Sequence, residues 1–125
     1  MTNIKIKAKI QATEDPIKVI KAIKNIFGNI EITHDIEQNV LTGKEINEIK
    51  SLANFRSIIA RDRIRTTLNN TFLRWMNEDY LSFGLNRQAA FAGHVSLNLT
   101  NEDPMGPIQV QIKGDVQDVI SYLCS

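Results

Sequence analysis

Cysteine is almost absent from this chain of 125 residues, because the single thiol is that of Cys124. One cysteine excludes an intramolecular disulfide framework and agrees with a reducing compartment. Long hydrophobic runs are absent too, since none approaches the ~18 apolar residues that a membrane-spanning helix needs. The first residues alternate lysine with isoleucine, unlike the apolar core of a signal peptide. We therefore expect a cytoplasmic protein that has no membrane partner.

An excess of one charge is also missing. Fifteen lysines and arginines stand against fourteen acidic residues, so the formal net charge is +1. Proteins that bind nucleic acid usually carry a clear basic excess. Any cationic surface on this chain must therefore come from the distribution of its charges and not from their sum.

Recognisable catalytic patterns are lacking as well. The sequence has no Walker loop, no nucleophile elbow and no dinucleotide-binding glycine pattern. His34 and His94 have no cysteine or carboxylate partner at the spacing of metal ligands. Paired carboxylates occur at three places: Glu14-Asp15, Glu78-Asp79 and Glu102-Asp103. All three lie where helices or strands are expected to end, and acidic residues commonly cap helices at such positions. We predict no catalytic residue, no metal and no cofactor; a two-metal nuclease built from these pairs is the third-ranked hypothesis.

Apolar residues alternate with lysines from Ile4 to Ile10, which predicts a strand with one buried face. Asp15 and Pro16 then suit the start of a helix, and Gly28 suits its end. Further strands are predicted over 30–33, 39–42, 80–85, 94–99 and 108–112. A short helix is predicted from residue 45, and a long helix is predicted over about 55–76, with a weak point at 69–70. A turn of helix is predicted over 87–91, and a last helix is predicted from residue 115.

This order, with 42% hydrophobic and 23% charged residues, is typical of a globular protein. Strands that alternate cleanly between polar and apolar residues favour an antiparallel sheet covered on one face. No repeat and no linker divides the chain. We predict a single α+β domain over residues 1–125, with an antiparallel sheet and helices packed on one of its faces.

Two cationic rows are candidate phosphate contacts. At 100° per residue, Arg56, Arg63 and Arg74 fall within about 20° of one another on the predicted long helix, and guanidinium groups bind phosphate oxygens bidentately. A solvated face that makes ordinary salt bridges is the alternative. The second row consists of Lys5, Lys7 and Lys9, which lie on one side of the first strand about 7 Å apart. These lysines could follow a nucleic-acid backbone. Alternatively, they could only protect the sheet against aggregation.

Arg61 and Arg65 form another pair, one turn apart, in a sector of the long helix that is otherwise apolar. Their aliphatic stems could cover apolar surface while the charged heads reach water. Alternatively, they could pair with carboxylates across a subunit interface. The second possibility motivates an alternative function, a homodimeric scaffold for protein interaction without nucleic-acid binding.

Two segments carry a resemblance to a known family: Phe83-Gly84-Leu85-Asn86-Arg87-Gln88-Ala89-Ala90-Phe91-Ala92-Gly93 and Pro104-Met105-Gly106-Pro107-Ile108. With Arg63-Ile64, they make the chain similar to a family of small archaeal proteins that are described as RNA-binding and exosome-associated, with a fold like that of ribosomal protein L5. Met105 replaces the leucine usual in that family, and Ser121-Tyr122 replaces an Asp-Trp pair.

The resemblance implies a non-catalytic RNA-binding or RNA-processing accessory protein, with RNA and an RNA-processing complex as partners. Arg56, Arg63 and Arg74 are then expected to contact phosphates. Arg87 and Gln88, within the most similar segment, are expected to form a second contact region.

Overall fold

The computed structural model describes residues 2–97 and 106–125. Its strands are β1 (Asn3–Lys9), β2 (Ile32–Asp35), β3 (Val40–Gly43), β4 (Tyr80–Leu85) and β5 (Ile108–Lys113). Its helices are α1 (Pro16–Phe27), α2 (Ala53–Arg61), α3 (Arg65–Trp75), α4 (Arg87–Phe91) and α5 (Val116–Leu123), and a 3-10 helix covers Ile49–Leu52. No helix in the described ranges is long and apolar enough to cross a membrane.

The described strands form one sheet in the order β2-β3-β1-β5-β4, and every neighbouring pair is antiparallel. In the central pair, Ile4 lies opposite Ile112 and Ile6 lies opposite Val110. These side chains are almost completely buried against the helical layer. The predicted α+β class, with an antiparallel sheet and helices on one face, is therefore confirmed.

The predicted boundaries of α1 are confirmed by its caps. The Asp15 carboxylate accepts a hydrogen bond from the backbone N–H of Ile17 over 3.0 Å, and Pro16 occupies the first turn, where a missing N–H leaves no bond unmade. At the other end Gly28 adopts a φ of 79°, and its N–H donates to the carbonyl of Lys24. A side chain would be strained in that conformation, so glycine ends the helix there.

Phenylalanine rings connect the helices to the sheet in the core. Phe27 of α1 meets Phe55 of α2 edge to face, with ring centroids 5.4 Å apart. Phe83 of β4 contacts both Phe55, at 6.4 Å, and Phe72 of α3, at 4.7 Å. Aromatic pairs in this range stabilise a fold beyond the area that they bury. The core therefore fixes the positions of three helices relative to the sheet edge.

The prediction of one long helix over 55–76 is wrong. The helix ends at Arg61, and the next begins at Arg65; Arg63 has a φ of 57° in the left-handed region. The backbone N–H of Ile64 donates to the carbonyl of Ile59 over 3.2 Å, and that of Arg63 donates to Ala60. These two hydrogen bonds together form a Schellman motif, in which glycine usually occupies the position of Arg63. The expected weak point at 69–70 lies inside α3.

The predicted strand over 94–99 is also wrong as far as it can be followed. Residues 94–97 contribute a single bridge, between Leu97 and Leu85, and the backbone N–H of Asn86 donates to Ser96. Residues 98–99 of that prediction and the paired carboxylates Glu102-Asp103 lie outside the described residues. The short helix expected from residue 45 is a 3-10 helix, preceded by a bridge between Ile46 and Ile4.

Candidate nucleic-acid interface

The three lysines of β1 project from the face of the sheet that is opposite to the helices. Lys5, Lys7 and Lys9 are exposed, whereas the intervening residues Ile4 and Ile6 are buried. A strand directs successive side chains to opposite faces, so burial of the isoleucines in the core places the lysines outside. The predicted arrangement of this row is therefore observed, and its binding role stays a prediction.

Neighbouring strands extend the row into a polar surface that we call the lysine face. Directly opposed residues of antiparallel strands share one face. On β5, Gln111 lies opposite Lys5 and Gln109 lies opposite Lys7, while on β3 Thr42 lies opposite Lys7. The surface continues across the sheet through Asn3, Lys113, Tyr80, Ser82 and Thr33.

Charge on the lysine face is of one sign near its centre. The described strands contain four lysines and one acidic residue, Asp35, which lies on the outer strand β2. A further carboxylate, that of Glu45, accepts a hydrogen bond from the Asn3 amide at the end of β1. The ammonium group of Lys113 lies 6.0 Å from the centroid of the Tyr80 ring. The described strands are therefore richer in positive charge than the near-neutral chain as a whole.

The three arginines of the predicted stripe are exposed, but they do not follow a single helix. Arg56 belongs to α2, Arg63 to the joint, and Arg74 to α3, so the calculation that aligned them on one continuous helix does not apply. Arg56 is held at the C-terminal segment, where Nε and Nη2 donate to the Ser125 hydroxyl over 3.2 and 3.1 Å. Its guanidinium also lies 5.1 Å from the centroid of the Tyr122 ring.

Arg61 is engaged within the chain. Its guanidinium donates to the carbonyl of Gly93 and, over 3.2 Å, to the Asp62 carboxylate, which also lies 3.1 Å from Nδ1 of His94. Burial raises the pKa of the Asp62 carboxyl, but hydrogen bonds from His94 and Arg61 outweigh it and hold the pKa below its ordinary value of 3.8. The pair expected to reach across a subunit interface is therefore divided: Arg61 has partners in its own chain, and Arg65 is exposed at the start of α3.

Arg87 corrects the prediction of a second contact region. Its side chain is only 5% exposed. One guanidinium nitrogen donates to the Glu14 carboxylate over 2.6 Å, and the other donates to the carbonyl of Lys9 and, at 3.5 Å, to that of Pro107. Buried guanidinium groups need such compensation, so Arg87 connects three segments instead of meeting solvent. Gln88, the next residue, is exposed.

A cleft with a volume of about 480 Å³ lies between α1 and α4, beside Arg87. Gln88 and Phe91, both in the segment that carries the family resemblance, line it together with residues that the sequence did not single out: Thr13, Lys18, Val19 and Ala22. These residues carry no recognisable motif, and only the packing of α4 on α1 brings them together. The capping residue Asn86, whose side chain accepts from the N–H of Ala89, was the available signal that a helix begins at Arg87.

Other reactive groups are sparse in the described ranges. Within residues 2–97 and 106–125, no three histidine, cysteine or acidic side chains are grouped so that they could hold a metal ion. Cys124 is half-buried, and burial raises the pKa of its thiol.

Comparison with known proteins places the chain in a family. A family model described as RNA binding matches residues 3–114. The UPF0201 protein of Methanothermobacter thermautotrophicus is 31% identical over 124 residues, which cover 98% of this chain and 91% of the relative. That of Pyrobaculum islandicum is 33% identical over 119 residues, covering 92% and 83%.

A solved structure is similar along the whole chain. The crystal structure of the UPF0201 protein from Methanococcus jannaschii superposes with a TM-score of 0.83 at 27% identity, covering 98% of this chain and 99% of that one. The resemblance first drawn from the segment around Arg87 and from Arg63-Ile64 is thereby confirmed. This chain belongs to the archaeal UPF0201 family, whose model is described as RNA binding.

Proposed function

We propose that this protein is a non-catalytic RNA-binding accessory protein and that it holds the RNA backbone on its lysine face. One observation carries the proposal: Lys5, Lys7 and Lys9 stand in a row, all exposed, on the face of the sheet opposite to the helices. Ammonium groups spaced about 7 Å apart along a strand can neutralise several phosphates of one nucleic-acid strand. Release of the counterions from those phosphates then drives binding.

The remaining chemistry of the lysine face suits recognition of the backbone. Amide and hydroxyl groups of Gln109, Gln111 and Thr42 lie beside the lysines on the neighbouring strands and can bond to phosphate and ribose oxygens. Tyr80 is the aromatic residue of this face within the described strands, and its ring is already beside Lys113. Stacking of several unpaired bases, as on sheets rich in aromatic residues, is therefore not expected there.

Arg56, Arg63 and Arg74 are proposed as a second, weaker set of contacts. They are exposed on the helical side, whereas the lysines lie on the opposite side of the sheet. A short RNA on the lysine face would not reach them. They would contribute to the binding of a longer RNA that wraps around the protein. Alternatively, they would contact an RNA-processing complex such as the exosome, which the family resemblance implies. The family resemblance also implies a fold like that of ribosomal protein L5, which would suit the same class of partner.

Fluorescence anisotropy with a 5′-labelled RNA that has a stem and an unpaired 3′ tail tests the proposal. We expect the affinity to fall steeply with salt, and the triple variant Lys5→Gln/Lys7→Gln/Lys9→Gln to lower the salt slope by about two. The matched control changes three exposed lysines outside the strands, Lys24→Gln/Lys44→Gln/Lys50→Gln, and therefore has the same net charge. Absence of binding at low salt, or equal loss in both variants, would overturn the proposal.

Light scattering on the same samples distinguishes the alternative. A stable homodimer that binds no RNA would favour the protein-interaction scaffold.

A further inference from the structure

We infer that the cleft between α1 and α4 is a binding site for one unpaired nucleobase of the RNA that lies on the lysine face. This inference deepens the proposed function and rests on it. The cleft volume of about 480 Å³ is within the usual range for small-molecule sites, which begins at about 300 Å³.

The cleft is preformed, because separate contacts hold its two ends. At one end, the Asn25 amide of α1 donates to the carbonyls of Ala90 and Phe91, over 3.1 and 3.0 Å, and holds the last turn of α4 against α1. At the other end, the bond between Arg87 and Glu14 holds the first turn of α4 to the segment before α1. A ligand would therefore enter without a cost for closing or ordering the walls.

The walls suit a flat, mainly apolar ring with polar edges. Val19, Ala22 and Phe91 supply apolar surface, and the Phe91 side chain is 42% exposed although it is large and aromatic. The ammonium group of Lys21 lies 5.5 Å from the centroid of the Phe91 ring, which orients the ring. Aromatic faces that remain accessible in nucleic-acid-binding proteins commonly stack on bases.

Polar groups lie where the edge of a base and its phosphate would be. The exposed Gln88 amide offers both a donor and an acceptor, as the edge of a nucleobase requires. Lys18 adds a positive charge for the adjoining phosphate. The carboxylates of Glu14 and Asp15 also line the cleft, but they accept hydrogen bonds from Arg87 and from the N–H of Ile17. Free anions would be repelled, so a neutral base is favoured over a phosphate as the deep occupant.

One wall of the cleft is joined to the last residue of the lysine row. Arg87 donates to the carbonyl of Lys9, the last residue of the lysine row, and also to Glu14 in the cleft wall. Thr13, which lines the cleft, is four positions after Lys9, so their Cα atoms are at most about 14 Å apart. A strand whose phosphates follow the lysines can therefore deliver its next unpaired base into the cleft.

The test uses the same RNA with 2-aminopurine at successive positions of its unpaired tail, with fluorescence and anisotropy both recorded. We expect one position to change its fluorescence on binding. Phe91→Ala and Gln88→Ala should each abolish that change and weaken binding by about fivefold or more. They should leave the salt slope unaltered, because neither removes a charge. The matched controls are Trp75→Ala and Gln117→Ala, which truncate an exposed aromatic residue and an exposed amide away from the cleft.

The two proposals fail in different ways. If RNA binds with a salt slope that depends on the lysines, yet Phe91→Ala and Gln88→Ala bind as the controls do, the cleft proposal is overturned and the proposed function stands. If no RNA binds to the wild type at low salt, both are overturned. Equal affinity for a blunt duplex and for the tailed RNA would also overturn the cleft proposal.

Discussion

The guanidinium of Arg87 donates to the carboxylate of Glu14 over 2.6 Å, although 73 residues separate the two in sequence. The bond joins α4 to the segment that leads into α1. Both side chains are nearly buried, with exposures of 5% and 11%. A buried charge that loses its partner is costly, so this bond holds one end of the cleft in place.

We predict that Arg87→Met lowers the free energy of unfolding by about 3–5 kcal/mol, because it leaves the Glu14 carboxylate buried without its countercharge. Urea denaturation followed by circular dichroism measures the loss. The double variant Arg87→Met/Glu14→Leu should recover much of it, since no charge is then left buried. A loss below about 1 kcal/mol in Arg87→Met, typical of an exposed pair, would contradict the structural role given to this bond.

The burial of Arg87 shows a limit of sequence reasoning. The segment from Asn86 to Phe91 was recognisable as a turn of helix, and its polar residues suggested contacts with ligand. The partner of Arg87 lies in another part of the chain, and local pattern cannot specify such a pairing. By contrast, the exposure of Lys5 and Lys7 followed directly from the two-residue period of a strand, which assigns faces without reference to tertiary structure.

The break between α2 and α3 escaped prediction for a different reason. Helix ends are recognised in sequence by glycine or proline, and this one has Arg63 in the left-handed position. Burial of Ile59 and Ile64, which the motif brings together, offsets the backbone strain of a non-glycine residue. Without a glycine or proline at the joint, the sequence was interpreted as one helix instead of two.

Arg63→Gly should therefore stabilise the protein by about 1 kcal/mol, because glycine adopts a positive φ without the clash of a Cβ atom. Thermal and urea denaturation measure this gain. Arg63→Ala is the control: it removes the same charge but keeps the Cβ atom, so it should show no such gain. Equal stabilities of the alanine and glycine variants would mean that the left-handed conformation of Arg63 carries no strain.

The pKa of Asp62 predicts a dependence of stability on pH. Its pKa in the folded chain lies below the ordinary value of 3.8, so the unfolded chain binds the proton more tightly. The stabilisation is therefore fully present above about pH 5, and it is lost as the pH falls through the folded-state pKa. We expect Asp62→Asn to be less stable than the wild type at neutral pH, by less than about 1 kcal/mol because His94 and Arg61 are well exposed.

The difference between wild type and Asp62→Asn should shrink as the pH falls through the folded-state pKa of Asp62 and disappear below it. Urea denaturation at several pH values measures it. Glu37→Gln, which neutralises an exposed carboxylate in the turn between β2 and β3, is the control and should show a smaller change. A difference that grows on acidification would contradict the lowered pKa of Asp62.

The lysine face can also be tested without removing any lysine. Gln111 lies directly opposite Lys5 in the middle of the face, so Gln111→Glu places a carboxylate among the ammonium groups. An opposite charge across a strand pair stabilises the sheet or leaves its stability unchanged, so loss of folding is not expected. RNA affinity should fall by about fivefold, the effect of roughly 1 kcal/mol of repulsion between nearby unit charges in water. Gln117→Glu on α5 has the same net charge and should bind RNA like the wild type; equal losses in the two variants would show that binding follows total charge instead of this face.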